Sequence, residues 1–277
     1  MRILIIGGQG MAGHMMKSYF SCQQQYEMFD TVRAAALPGA AGSIALDVRD
    51  DARLQMLLKQ LRPDVVINAV GLLNDDARNR QAEAIYVNSL LPHQLAAHAE
   101  TYDFRLFHIS TDCVFSGSRG DYTESDPTDA LTVYGKSKSL GEVSTLRTVT
   151  IRTSIIGPEL KTDGIGLFHW FMQQQGDIDG YRQVFWNGVT TLELAKAIAW
   201  CLHRPLHGLI HLAGQPKISK YDLLRLIQQQ FGHDAVTIHA NDAYVSDKSL
   251  RSTRADFTYC VPSYPQMIAE MHAWMTR

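Results

Sequence analysis

The 277-residue chain carries 26 lysines and arginines against 28 aspartates and glutamates, a formal net charge of −2, and 45% of its residues are hydrophobic. That composition excludes a disordered chain and gives no sign of a nucleic-acid partner, and no apolar run approaches the roughly 18 residues of a membrane helix. Cys22, Cys113, Cys201 and Cys260 form no close pair, which argues against a disulfide scaffold, and no metal pattern is visible. Met1 and Arg2 precede only four apolar residues before Gly7, which is no signal peptide; a cytoplasmic enzyme is the default expectation.

In chain order, residues 2–6 are a continuous apolar run closed by glycine and read as a buried strand. Residues 14–19 read as the opening of a helix after the turn Gly7-Gly8-Gln9-Gly10-Met11-Ala12-Gly13. Val32 falls on a second strand, residues 44–46 on a third, and the β-branched run 65–68 on a fourth. Residues 51–61 are helical, and 79–100 keep helical spacing over a long stretch. Strands follow at 104–109 and 148–152. This alternation predicts βαβ units and a parallel sheet covered on both faces. After about residue 157 glycines break the pattern. It returns as helices at 192–202, 221–231 and 268–275 and a strand at 209–212.

Gly7, Gly10 and Gly13 fall between a strand and a helix, where the context says more than the spacing. Such a turn lets the backbone approach a pyrophosphate, and the helix N-terminus offers it free N–H groups and partial positive charge. Gly7, Gln9, Gly10, Met11 and Gly13 are therefore candidate cofactor contacts. The second strand ends near Arg33, with Asp30 lying earlier. An arginine there suits a ribose 2′-phosphate, so NADP (as NADPH) is expected, with NAD as the alternative. Asp47 and Val48, after the third strand, are candidates to bracket the adenine.

Tyr134 and Lys138 are four residues apart on a predicted helix and so share a face. A phenol with a pKa near 10 is a poor acid–base group at neutral pH, and a neighbouring ammonium is expected to lower it. Thr111, at a strand end, can steady a carbonyl oxygen. The pair alone is a weak signal. Joined to a nucleotide turn and a strand-end threonine, it points to catalysis.

These features resemble the extended short-chain dehydrogenase/reductases. Ser110-Thr-Asp-Cys-Val-Phe-Ser-Gly, Tyr122-Thr-Glu-Ser-Asp-Pro and Val133-Tyr-Gly-Lys-Ser-Lys are similar to the dTDP-4-dehydrorhamnose reductases among them. The resemblance is dense over 1–157 and thinner beyond. It implies a Rossmann-like, doubly wound α/β cofactor domain (1–156 and 189–216) with a smaller interleaved substrate-binding domain (157–188 and 217–277). It implies hydride transfer to the C4 ketone of a nucleotide-linked 6-deoxy sugar, with Tyr134 as proton donor, Lys138 orienting the ribose and Thr111 binding the carbonyl. Ala69, Val70, Gly71 and Asn88 match cofactor-side segments. Asp112, Cys113, Ile155 and Trp186 are candidates for the sugar pocket. Cys113 and Ile155 depart from the tyrosine and tryptophan usual there, which leaves a different sugar substituent open.

Lys161, His169, Arg182, Arg251 and Arg254 are candidates for the substrate diphosphate. The rivals are an epimerase or dehydratase of the same fold and a non-catalytic NADP(H)-binding regulatory subunit. The sequence leaves the sugar, the nucleotide and the oligomeric state open, a homodimer being one option.

Overall fold

A computed structural model describes residues 1–33 and 43–277. The first half is β1 (Arg2–Ile6), α1 (Met11–Ser21), β2 (Glu27–Val32), β3 (Ser43–Ala45), α2 (Asp51–Leu61), β4 (Val65–Asn68), α3 (Asn74–Asn79), α4 (Gln81–Ala84), α5 (Leu91–Tyr102), β5 (Arg105–Ile109), α6 (Val133–Leu140) and β6 (Thr148–Arg152). Then come β7 (Ile155–Ile156), α7 (Leu167–Met172), β8 (Gly176–Tyr181), β9 (Val184–Trp186), β10 (Val189–Thr190), α8 (Thr191–Leu202), β11 (Gly208–His211), β12 (Ile218–Ser219), α9 (Lys220–Phe231), β13 (Val236–Asn241), β14 (Ser246–Asp247) and α10 (Tyr264–Met275). No helix among the described residues is long and apolar enough to cross a membrane.

The main sheet has seven strands in the order β11-β6-β5-β4-β1-β2-β3, and every pairing is parallel. The apolar run of β1 splits by residue parity. Ile3 and Ile5 join one core with Met16, Phe20 and Ile198, while Leu4 and Ile6 join another with Leu54, Leu58 and Leu95. Burial on both faces is why the strand reads as continuously apolar. Strand order reverses between β1 and β4, which opens a crevice beyond their C-terminal ends.

The helical stretch expected over 79–100 is not one α-helix. Between α4 and α5 it widens into a π-helical segment, Ile85–Leu90. Pro92 has no N–H to donate to the Asn88 carbonyl four residues back. Gly141 packs against that carbonyl; a methyl group there would stand 1.9 Å from the oxygen. Beyond 157, where glycines suggested a loose chain, there are two small sheets, β13-β8 and β12-β9-β14. Their strands are two to six residues long, and β8 (Gly-Asp-Ile-Asp-Gly-Tyr) has too few apolar side chains to show a period. The last helix begins at Tyr264, earlier than periodicity indicated, with Pro265 in its first turn.

Candidate active site

Gly7 leaves β1 with φ +93°, and the Gly10 N–H donates to its carbonyl at 3.0 Å. A Cβ on Gly13 would lie 2.0 Å from the same oxygen, so only glycine lets α1 start this close to β1. No side chain caps α1, and Gly10, Met11 and Ala12 line a cavity of about 330 Å³. Ala69, Val70 and Gly71 face them from the end of β4.

Asn88 is a correction. It is fully buried and its amide is spent, accepting from Leu72 N at 2.9 Å and donating to Leu72 O at 2.9 Å and Ser137 Oγ at 3.0 Å. It braces the segment after Gly71 and α6 instead of touching a ligand.

Asp30 is 1% exposed and held by Lys17 and by Ser43, each at 2.7 Å, so it offers no carboxylate to a ribose. Arg33 stands exposed at the end of β2, 3.0 Å from Glu83. Arg49 holds the Asp47 carboxyl down at about 2, and Val48 is buried. Arg33, Asp47 and Val48 lie on the β2–β3 side of the sheet, away from the cavity lining.

Thr111 follows β5. Its hydroxyl accepts from Cys113 N and donates to Asp112 Oδ1, both at 3.1 Å, capping a single 3₁₀ turn. Thr132 caps α6 by accepting from Gly135 N at 3.1 Å. A Cβ on Gly135 would stand 2.1 Å from the Cys113 carbonyl, so α6 rests directly on the Thr111 turn. Thr111, Tyr134 and Lys138 thereby line one cavity.

The electrostatics differ from the expectation. Lys138 is 3% exposed, and its Nζ donates to the Ile109 carbonyl at 2.6 Å and lies 3.4 Å from His108 Nε2. Burial pulls its pKa down to about 8, against the pull of Glu142. The Tyr134 phenol is shifted upward on balance and not down. Burial pushes the phenol above its ordinary value, Cys113 and Asp112 add to this, and the Thr111 hydroxyl opposes it. Burial also raises Asp112, opposed by Lys248 and Lys220, and pushes the Cys113 thiol up to about 11. A thiol that reluctant to ionise is no nucleophile at neutral pH.

A buried network stands behind the trio. Arg152 grips Glu142 through two hydrogen bonds of 2.7 and 2.6 Å, and Ser110 Oγ donates to the same carboxylate at 2.7 Å. His211 Nδ1 donates to the Tyr122 carbonyl at 3.1 Å, which leaves Nε2 to accept from Arg152 at 3.3 Å. These bonds tie the ends of β5, β6 and β11 together.

On the opposite wall, Ile155 and Trp186 line the cavity. Trp186 is 3% exposed and also packs on Tyr264, so it serves core and cavity together. The cations expected there are elsewhere. Arg182 pairs with Asp242 and Arg254 with Asp256, and neither they nor Lys161, His169 and Arg251 line the cavity. The cation that does, besides Lys138, is Lys220, which the sequence reading missed. Its one signal was a lysine at the first position of a helix, where the dipole disfavours a cation. A shallower depression of about 650 Å³ on α9, around Tyr221, Arg225 and Gln229, holds none of the trio.

The family model described as the RmlD substrate binding domain matches residues 1–257. The chain is 23% identical over 212 residues to the spore coat polysaccharide biosynthesis protein SpsK of Bacillus subtilis, covering 74% of this chain and 75% of that one. It is 32% identical over 163 residues to a dTDP-4-dehydrorhamnose reductase of Burkholderia thailandensis, covering 56% and 50%. Its fold is shared with the dTDP-4-dehydrorhamnose reductase of Bacillus anthracis solved in complex with NADP, at a TM-score of 0.83, 18% identity and 98% coverage of both chains. With the match running from the glycine turn through Thr111, Tyr134 and Lys138 to the small sheets beyond them, the chain belongs to the RmlD substrate-binding domain family.

Proposed function

We propose that this chain is an NADPH-dependent reductase of the C4 ketone of a nucleotide-linked 4-keto-6-deoxy sugar. The observation that carries the reading is the convergence of Thr111, Tyr134 and Lys138 on the cavity that also receives the uncapped start of α1. The residues present fit the dinucleotide. The start of α1 is free to receive a pyrophosphate, and with Asp30 buried and paired, Arg33 suits the 2′-phosphate.

When bound, the reduced nicotinamide supplies the hydride. The chain's own groups position the ketone and move the proton. Tyr134, held in its neutral form by burial, donates its proton to the carbonyl oxygen as that oxygen gains charge. The Thr111 hydroxyl turns from Asp112 to the same oxygen and stabilises it. Lys138, fixed by the Ile109 carbonyl, orients the nicotinamide ribose. Cys113 and Ile155 leave room for a sugar other than rhamnose's precursor, a UDP-linked N-acetylamino sugar among the candidates. The product would feed surface-polysaccharide synthesis, and the enzyme would be a cytoplasmic short-chain dehydrogenase/reductase.

A dehydratase of this fold would want a glutamate beside Asp112, where Cys113 stands. A regulatory subunit would not need the intact trio. The test follows reduced-nicotinamide absorbance while NADPH or NADH is offered with dTDP-, UDP- and GDP-linked 4-keto-6-deoxy sugars. Oxidation with one nucleotide class is expected. Tight cofactor binding without oxidation across the panel would overturn the reading in favour of the regulatory subunit.

A further inference from the structure

The cavity wall opposite the catalytic helix holds more positive charge than the fold needs. Lys220 opens α9, where Ser219 and Asp222 already cap one another: Asp222 N donates to Ser219 Oγ at 3.0 Å and Ser219 Oγ to Asp222 Oδ2 at 2.6 Å. A cation at a helix N-terminus opposes the macrodipole, so Lys220 costs the helix stability. Its Nζ lies 5.5 Å from the centroid of the Trp186 ring, over the indole that lines the cavity. The charges that act on it are Asp112 and Lys248, and it hydrogen-bonds to neither.

Lys248 approaches from the other side, with Nζ 3.8 Å from Cys113 Sγ. Its stem is clamped, since a methyl group on Gly117 would meet Lys248 Cγ at 2.9 Å. Both ammoniums oppose the burial that raises Asp112, so a single carboxylate answers two cations. The neighbouring Lys217 shows what a structural lysine looks like here: it is ion-paired to Asp247 at 2.5 Å and Asp121 at 3.3 Å. Arg182, Arg254 and Arg119 are likewise committed to Asp242, Asp256 and Asp126.

We propose that Lys220 and Lys248 form the receptor for the diphosphate of the nucleotide-sugar substrate. The proposal rests on the reductase reading, because it needs the ketone at Thr111 and Tyr134 and the sugar against Trp186. Two ammoniums facing one carboxylate leave a surplus positive charge, and a diphosphate supplies the missing anion. Lysines suit this as point charges that follow phosphate oxygens without a fixed fork. Burial pulls Lys220 down to about 8, and a bound anion would restore its charge.

The test is calorimetric titration of the full-length protein, saturated with NADP, with dTDP, UDP and GDP. Wild type is compared with Lys220→Met, Lys248→Met, the double variant and Lys217→Met. One nucleoside diphosphate is expected to bind wild type and Lys217→Met alike. Each single variant should lose roughly tenfold in affinity or more, the double variant more again, while NADP affinity and melting temperature hold. In turnover KM should rise with kcat little changed, and Lys220→Arg should recover part of the loss. Unchanged diphosphate affinity in both single variants would overturn the proposal. So would a loss confined to substrates with a carboxylate on the sugar, or failure of wild type to bind any of the three. Turnover with unaltered diphosphate affinity would remove the receptor and leave the reductase. Lysine-dependent diphosphate binding without reduction of any keto sugar would do the reverse.

Discussion

The cavity wall that carries Thr111, Tyr134 and Lys138 rests on close backbone contacts and a buried side-chain network, whereas the wall that carries Trp186 and Lys220 rests on very short strands and a few side-chain bonds. On the first, Gly135 presses on the Cys113 carbonyl, Gly141 presses on the Asn88 carbonyl, and Ser89 Oγ donates to the Ser137 carbonyl at 2.7 Å. On the second, β9 is three residues long with partners of two residues each. Its position depends on the Asn187 amide, which donates to Leu250 O at 2.7 Å and accepts from Leu250 N at 2.9 Å. On the proposed function, the groups that would move a proton, which tolerate little misplacement, are those where neighbouring backbone leaves no slack. The groups that would recognise the sugar are those where a side chain can be exchanged without disturbing the main sheet.

The largest effect expected on the first wall is chemical. Tyr134→Phe should lower kcat by about 10² to 10⁴ while NADPH affinity is kept, read by stopped-flow oxidation and by fluorescence titration. A variant that retains wild-type kcat would remove the phenol from the proton path and, with it, the reason for so rigid a support.

The next effect is on stability. Arg152→Met leaves Glu142, only 11% exposed at its side chain, without its partner, and Ser110 then has to hold that carboxylate alone. A loss of about 3–5 kcal/mol in urea unfolding is expected. A surface pair remote from the cavity, broken by Arg182→Met, should cost far less. Similar losses for the two would show that the buried network adds nothing to the first wall.

Acid should weaken the first wall before the second. His211 is 1% exposed, and burial holds it neutral down to about pH 4, with Glu124 pulling the other way. The unfolded chain binds that proton near 6.5, so between pH 6.5 and 4 it holds a proton the folded chain lacks, and stability falls as pH falls. One such histidine removes on the order of 3 kcal/mol across the window. His108, also buried and held well below 6.5, adds to the slope. Glu124 and Asp247, held below their ordinary values, enter only lower, while Asp112, raised by burial, takes up its proton first in the folded chain and opposes the slope. His211→Gln should flatten part of the slope between pH 6.5 and 4.5 in a series of thermal melts. An unchanged slope would assign it elsewhere.

The same contrast explains what could be read from the sequence. β1, the glycine turn and the Tyr134–Lys138 pair are local patterns, each fixed by two to seven consecutive residues with a known period or turn geometry. Thr111 and Asp30 sort themselves by their place at or inside a strand. Lys220 and Lys248 are 28 residues apart and meet only through Asp112 and Cys113, more than 100 residues earlier, so no local pattern marks them. The phenol's upward shift was equally invisible. Spacing places Lys138 on Tyr134's face, but the Ile109 carbonyl that captures its ammonium belongs to β5, outside the helix.

Cys113 stands at the seam between the walls and should give the smallest effect. Its carbonyl supports Gly135 on one side and its thiol touches Lys248 on the other. Burial, reinforced by Asp112, keeps that thiol protonated up to about pH 11, so it contributes shape and not charge at neutral pH. Cys113→Ser preserves the backbone contact and most of the volume. It should therefore leave kcat within about threefold and move KM by a few-fold at most. Iodoacetamide should modify the exposed Cys22 and Cys260 well before Cys113. A collapse of kcat in Cys113→Ser, or alkylation of Cys113 first, would show that the thiol ionises during turnover. The chemistry would then reach across the seam, and the division of labour between the two walls would have to be redrawn.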